Sequence, residues 1–342
     1  MDTEAPDILI AGGGPVGAAL ALALEGSGHT VVLAEARSAA GSGARSAATN
    51  GARSAVGGAA RSAPAGDARA IALSHASRLI LERLNARSGL AVTPIETVHI
   101  SQQAGFGRTL ISAAEFGLPA LGYVANYDDL QQSLYAAPCS AKRLSGARLT
   151  GFDGNTATLL TREGERAFAP RLTVFADGAR IVDEDAASAY SKDYHQAALI
   201  AWVKTVQAHR GRAWERFTPE GPLALLPHGA GYALVWTTGV DRGAQLRALD
   251  TPAFLAELQA SFGDRLGGFV EAGARSAFPL ALRYRREETK PQSLAVGNAA
   301  QTLHPATMRL HGFYPGNQCG LTVAAGFAGF AAWKLDGLKR GD

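Results

Sequence analysis

A short apolar strand that runs into a glycine-rich turn restricts the fold of this chain more than any other feature. Ile8-Leu9-Ile10-Ala11 follows Asp7 and is apolar throughout, the pattern of a parallel strand buried on both faces. It meets Gly12-Gly13-Gly14-Pro15-Val16-Gly17, after which Ala18 to Glu25 is dense in Ala and Leu, as a closely packed helix requires. His29 to Glu35 reads as a second strand that ends on an acid. Strand, glycine turn, helix, strand and acid within about 30 residues make a βαβ unit of the dinucleotide-binding kind. In such a unit Gly12 permits the tight turn, Gly14 lets the backbone approach a pyrophosphate, and Gly17 lets helix pack on strand. The helix N-terminus presents free N–H groups and a positive dipole end to the phosphates. Glu35, 18 residues after Gly17, is placed to accept from ribose hydroxyls. The competing reading is a glycine-rich turn in an unrelated α/β protein.

A segment of different character follows. Ala36-Arg37-Ser38-Ala39 recurs at Ala44, Ala52 and Ala60, each copy eight residues after the last. A period of eight in Ala, Gly and Ser is not that of a solenoid. Without large apolar side chains the repeats cannot offset their own ordering entropy, so residues 38–66 are expected to be a flexible surface insertion. Their arginines suggest phosphate binding less well than they suggest sequence slippage.

Beyond the repeats, order resumes at Asp67 to Ser74, and a helical pattern runs through Leu79, Leu81 and Leu84. Val98 to about Ile111 alternates like a strand pair, Leu121 to Val124 is a short strand, and Asp128 to Ala137 is a helix. Residues 195–285 are read as several strands, among them Ala198 to Lys204 and Tyr232 to Thr237, with one helix near Pro252 to Phe262. Two further buried strands, Leu172 to Ala176 and Ser293 to Val296, stop at Asp177-Gly178 and Gly297-Asn298. Each thus puts a polar side chain and a glycine at a strand's carboxyl edge, where open α/β sheets bind ligands. Taken singly, Asp-Gly and Gly-Asn are ordinary turn pairs. Taken with the glycine loop, they look like the ribityl and pyrophosphate contacts of an FAD fold.

Charge and composition exclude other classes. A formal charge of +3, with no basic cluster interleaved with aromatics, gives no reason to expect nucleic acid. Cys139 and Cys319 are isolated thiols, which points to a reducing, cytoplasmic compartment. The acidic start Asp2 to Asp7 is unlike a secretory leader, and no apolar run approaches the roughly 20 residues that cross a bilayer. None of the eight histidines forms an H-x-x-x-H or H-E-x-x-H pair, so no metal site is expected.

The set Gly12-x-Gly14-x-x-Gly17, Asp67-x-Arg69-x-x-Ala72-Leu73, Asp177-Gly178 and Gly297 to Pro305 resembles the class A flavoprotein aromatic hydroxylases. Four stretches are similar to the ubiquinone-biosynthesis branch: Thr93 to Ser101, Ala120 to Val124, Gly211 to Pro227 and Arg275 to Leu282. The resemblance implies an α/β fold in which an FAD-binding Rossmann-like domain is interleaved with a mainly β-sheet substrate domain. The first would take residues 1–75, 126–181 and 286–342, and the second 76–125 and 182–285. It implies FAD contacts from Gly12, Gly14, Gly17, Glu35, Arg69, Asp177, Gly178, Gly297, Asn298 and Pro305. It also implies that NAD(P)H supplies electrons, O2 supplies oxygen, and an electron-rich, prenylated methoxyphenol of ubiquinone biosynthesis receives it. A lipid-tailed substrate would bring peripheral contact with the inner membrane or with a quinone-biosynthesis complex. Because the hard chemistry belongs to the cofactor, no catalytic residue is nominated. His304 reads as a structural residue before Pro305.

The chain departs from that pattern in the long repeat insertion, at Ser133-Leu134, where relatives carry an arginine before the leucine, and after Pro305. There the family's glycine-rich loop is replaced by Ala306 to Gly320. This keeps open a second reading, a catalytically impaired member that serves as a binding or scaffold subunit. A third, an NAD-dependent dehydrogenase, leaves Asp177 and Gly297 without a role.

Overall fold

The computed structural model describes residues 4–37, 69–178, 189–285 and 289–302. The repeat insertion, Asp67, His304, Pro305 and the segment 306–320 lie outside the described residues.

Strands β1 (Ile8–Ala11), β2 (Val31–Glu35), β8 (Lys142–Ser145), β12 (Leu172–Phe175), β19 (Thr289–Lys290) and β20 (Ser293–Ala295) form one sheet in the order β19-β20-β12-β1-β2-β8. All its pairings are parallel except β19 with β20. The strands β1, β12 and β20 are buried along their whole length, as their unbroken apolar runs require. Helix α1 (Pro15–Ala23) crosses from β1 to β2 and buries Ala18 to Leu22. Helix α3 (Tyr127–Ala136) packs against α1 and buries Leu130 and Leu134. A meander of β9 (Arg148–Phe152), β10 (Ala157–Thr161) and β11 (Gly164–Phe168) buries Leu159 and Phe168 against Leu9 and Val32.

A nine-stranded sheet makes the second body. Its main path joins β21 (Gln301–Thr302), β18 (Ser276–Arg285), β13 (Ala189–Thr205), β16 (Gly231–Gly239), β15 (Gly221–His228), β14 (Arg212–Thr218), β5 (Thr97–Gln102) and β6 (Thr109–Ser112). Strand β17 (Phe269–Ala272) adds on to β13. One face is closed by α4 (Val240–Ala248) and α5 (Thr251–Phe262), through Leu246, Phe254, Leu258 and Phe262 on Trp214, Leu225, Leu234 and Trp236. The sequence reading put one helix in this region and the structure has two. Only Gly243 and Leu246 of α4 are buried, too little to mark a periodic apolar face.

Between the two bodies lies a small antiparallel sheet of β3 (Ala70–Ser74), β7 (Gly122–Asn126) and β4 (Thr93–Ile95), with α2 (His75–Arg83) following β3. Its pairing of β3 with β7 crosses the expected domain boundary at residue 75. Among the described residues no helix is long and apolar enough to cross a membrane.

His99 is buried on the helix-covered face, its ring 4.5 Å from that of Trp214. Burial, reinforced by the charges of Arg265, Arg108 and Arg212, holds its imidazole below the ordinary value. The folded state therefore binds this proton less readily than the unfolded chain, and stability is lost as pH falls below about 6.5. Thermal melts between pH 7.5 and 5.5 are expected to show the loss, at most about 1.4 kcal/mol per pH unit from this group. His99→Phe is expected to flatten the slope.

Candidate functional site

Parallel register sets the geometry of the site. Ala11 is the partner of Ala34 on one side and Phe175 on the other, and Phe175 in turn pairs with Ala295. The next residues along, Gly12, Glu35, Ala176 and Val296, therefore emerge side by side at one carboxyl edge. Gly12 N–H donates to Ala34 O at 2.8 Å, Ala176 N–H to Ala11 O at 2.7 Å, and Val296 N–H to Phe175 O at 2.9 Å.

Three of the loop's glycines are required by the chain's own packing. Gly12 has φ +116°, and a Cβ there would stand 2.4 Å from the Ala176 carbonyl carbon and 2.5 Å from Asp177 N. A Cβ on Gly17 would fall 1.9 Å from Gly12 O, so helix and loop meet backbone to backbone. Gly13, which sequence spacing did not single out, would press a Cβ to 2.1 Å from Tyr135 Oη and 2.7 Å from Glu35 Cβ. Gly14 differs. Its φ is −62°, and a Cβ would meet only Tyr127 Oη, at an ordinary 3.6 Å. Nothing among the described residues demands glycine at this position, the N-cap of α1. The first turn of α1 carries no acidic side chain to offset its positive end.

A hydrogen-bonded ring holds the loop to the end of β2. Arg37 donates from N and Nε to Glu35 Oε1, at 2.8 and 3.0 Å, and from Nη2 to Gln131 Oε1 at 2.7 Å. Gln131 Nε2 and Tyr135 Oη both donate to Gly13 O at 2.8 Å. Burial, and then the charge of Glu35, push the Tyr135 phenol up to about 12, so it stays protonated as a donor. The hydrogen bonds and charge of Glu35 outweigh burial and hold the Arg37 guanidinium above its ordinary value. With Arg37 bound to Oε1, the other oxygen, Oε2, faces Gly13, 2.9 Å from where a Cβ would be. Arg37 belongs to the first Ala-Arg-Ser-Ala copy, and its role was hidden by the repetition. Gln131 and Tyr135, four residues apart on α3, carry no motif, and only the i,i+4 spacing hints that they share a face.

The remaining sequence-nominated residues gather around this edge. Asp177 and Gly178, the latter at φ +85°, follow β12 and are half-buried. Gly297, at φ +62°, lies against the first turn of α1, where a Cβ would approach Val16 Cγ2 to 3.0 Å. Asn298 follows it in a 3-10 turn, Gly297–Ala299. Arg69 comes in from the start of β3, with its guanidinium 5.3 Å from the Tyr127 ring centre and 5.8 Å from that of Phe278. Through Tyr127 it connects the glycine loop to the large sheet. Pro305 lies outside the described residues. Ser133 donates to Ala86 O. Among the described residues no group of three His, Cys, Asp or Glu side chains could hold a metal.

The face of the large sheet away from α4 and α5 carries Phe278, whose ring meets Arg69. Register puts Ile200 opposite Val235, and Ala198 opposite both Thr237 and Phe278. Ile200, Leu226, Val235 and Phe278 are apolar and only half-buried, in contrast to the fully buried side chains beneath the helices.

No family model matches the chain. The chain is 30% identical over 323 residues to 3-demethoxyubiquinol 3-hydroxylase of Escherichia coli K12, covering 89% of itself and 75% of that relative. It is 37% identical over 173 residues to ubiquinone hydroxylase UbiL of Rhodospirillum rubrum, covering 48% of itself but only 40% of that protein. In fold it matches a flavoprotein/dehydrogenase of Cytophaga hutchinsonii with a TM-score of 0.70 at 15% identity, covering 98% of this chain and 79% of the other.

The contacts rank the loop substitutions. Gly12→Ala and Gly17→Ala, which strike backbone, are expected to destabilise most, by roughly 1–3 kcal/mol or more, followed by Gly13→Ala, which strikes the Tyr135 hydroxyl and Glu35 Cβ. Gly14→Ala is expected to stay within about 1 kcal/mol of the wild type. Urea denaturation of the four variants measures the order.

Proposed function

The chain belongs to the flavin-dependent aromatic hydroxylases of the ubiquinone-biosynthesis branch, and from that premise we propose an FAD-dependent monooxygenase that hydroxylates a polyprenyl methoxyphenol with NAD(P)H and O2. The observation that carries the cofactor reading is Gly14, a glycine that no atom of the described residues requires, at the N-cap of a helix whose first turn is free of acid. A pyrophosphate is the ligand for which both facts have a reason, since it needs close backbone approach and a positive helix end. Glu35 Oε2 accepts from the adenosine ribose, with Arg37 fixing the carboxylate through Oε1. Asp177 and Gly178 meet the ribityl chain, and Gly297 and Asn298 meet the cofactor beside α1. Arg69 joins them from β3, and Pro305 follows in sequence.

When bound, the flavin supplies electron transfer from NAD(P)H and activation of O2. The protein's part is to hold, orient and keep dry. Residues 1–75, 126–181 and 286–342 form the cofactor-binding unit in this reading, and 76–125 with 182–285 the substrate unit. The half-open apolar face with Ile200, Leu226, Val235 and Phe278 takes the phenol ring. The prenyl tail of such a substrate calls for peripheral membrane contact or delivery by a partner, in the cytoplasm at the inner membrane.

Purified protein is expected to be yellow, to release FAD on denaturation, and to oxidise NAD(P)H when given O2 and a methoxyphenol, yielding product one oxygen atom heavier. Colourless protein that cannot be reconstituted with FAD sinks the proposal. Yellow protein that binds the phenol without oxidising it favours the impaired member over the enzyme. Gly14→Ala is expected to weaken FAD at least tenfold in a fluorescence titration while its melting temperature stays near that of the wild type.

A further inference from the structure

His228 ends β15 on the face of the large sheet that also carries Leu226 and Phe278. Its Nε2 lies 3.0 Å from Asn126 Oδ1, and Asn126 Nδ2 donates to Asp129 Oδ2 at 3.1 Å. These two bonds fix the proton on the imidazole. A carboxylate only accepts, so Asn126 turns its amide to Asp129 and its carbonyl to His228. Nε2 must therefore carry the hydrogen. Burial holds the imidazole below its ordinary value, against a smaller pull from Asp129, so the ring is neutral and Nδ1 is a bare acceptor. Nδ1 is buried and has no hydrogen-bond partner among the described residues. A buried acceptor left so loses its water without compensation, a cost that calls for an explanation.

Position supplies one. Asn126 is the residue before Tyr127, whose hydroxyl stands beside Gly14 and whose ring lies under Arg69. The Asp129-Asn126-His228 chain thus runs from the first turn of α3 to the half-open apolar face. His99 Nδ1 also has no partner among the described residues, but it sits on the opposite, helix-covered face against Trp214.

We propose that His228 Nδ1 is a substrate-binding acceptor for the ring hydroxyl of the phenol, held in its accepting tautomer by Asn126 and Asp129. The proposal rests on the hydroxylase reading above and deepens it by naming the residue that pairs the ring hydroxyl of that phenol. A site built to pair a hydroxyl discriminates strongly against an analogue that lacks it.

The test uses flavin-loaded protein and two probes, 2-methoxyphenol and 1,2-dimethoxybenzene, which differ only in whether the second oxygen carries a proton or a methyl group. Binding is read from the perturbation of the flavin absorbance on titration. The wild type is expected to bind the phenol at least tenfold more tightly than the ether. His228→Leu is expected to bind both alike, with the phenol weakened and the ether unchanged. His228→Gln, which keeps an acceptor, is expected to recover part of the preference.

A wild type that does not discriminate, or a Leu variant that keeps the full preference, overturns the assignment. Should the Leu variant fold poorly, histidine nitrogen NMR of the wild type decides the same point. Nδ1 is expected to be the unprotonated nitrogen and to shift on adding the phenol but not the ether. A protonated or unresponsive Nδ1 overturns the proposal. A protein that hydroxylates the phenol yet shows either contrary result loses the His228 assignment and keeps the hydroxylase reading. One that shows the preference without oxidation keeps the assignment and loses the activity.

Discussion

The close approach of three backbone segments, Gly12, Gly17 and Ala176-Asp177, is the contact on which the rest of the molecule depends. A Cβ at either glycine would overlap main-chain atoms, and main chain fixed in a parallel ladder has nowhere to go. The contact brings the start of α1 down on to the end of β1 and sets β12 against the same loop. Once those positions are set, parallel pairing carries the alignment outward to Glu35 on one side and Val296 on the other. The site is therefore a consequence of sheet register. It does not need a separately evolved pocket to bring residues far apart in sequence to one edge.

Much of this edge was legible because its signals are local. Gly12, Gly14 and Gly17 follow an unbroken apolar run, and Asp177 and Gly297 follow two more, so strand ends could be read without knowing which strands pair. The order of the strands gave those ends a common location. What was not legible rests on contacts across long sequence distances. Gly13 must be glycine because of Tyr135, 122 residues later, whose hydroxyl donates to the Gly13 carbonyl. Arg37 stood in a repeat that reads as filler, yet it holds Glu35 and Gln131 together.

The same distinction explains the differences in secondary structure. Strand β13 begins at Ala189, well before the apolar stretch Ala198 to Lys204 that announced it. Its first part pairs with β18 through exposed Ser191, Lys192 and Asp193, which have no burial pattern to betray a strand. Strand β8 is similar: Lys142, Arg143 and Ser145 are exposed, and only its parallel pairing with β2 makes it part of the sheet. Helix α4 escaped notice because Gly243 and Leu246 are too few to mark an apolar stripe. In each case tertiary pairing, not intrinsic pattern, decides the structure.

The division of the large sheet into a closed and a half-open face gives the two bodies their relation. Helices α4 and α5 cover one face, α5 with Phe262 and Phe254 packed on Trp214 and Trp236. The opposite face is left to the small sheet of β3, β7 and β4, which covers it only in part, through Ile95 and Val124 on Ala213 and Leu226. Strand β7 then becomes α3 within a single peptide step. Tyr127, the first residue of that helix, reaches the glycine loop, while Asn126, the residue before it, reaches His228. Two neighbouring side chains thus hold the glycine-loop edge and the apolar face in fixed relation. A chain that runs back and forth between its two bodies achieves this more simply than one that folds them in succession, because the joint lies inside one element instead of in a linker.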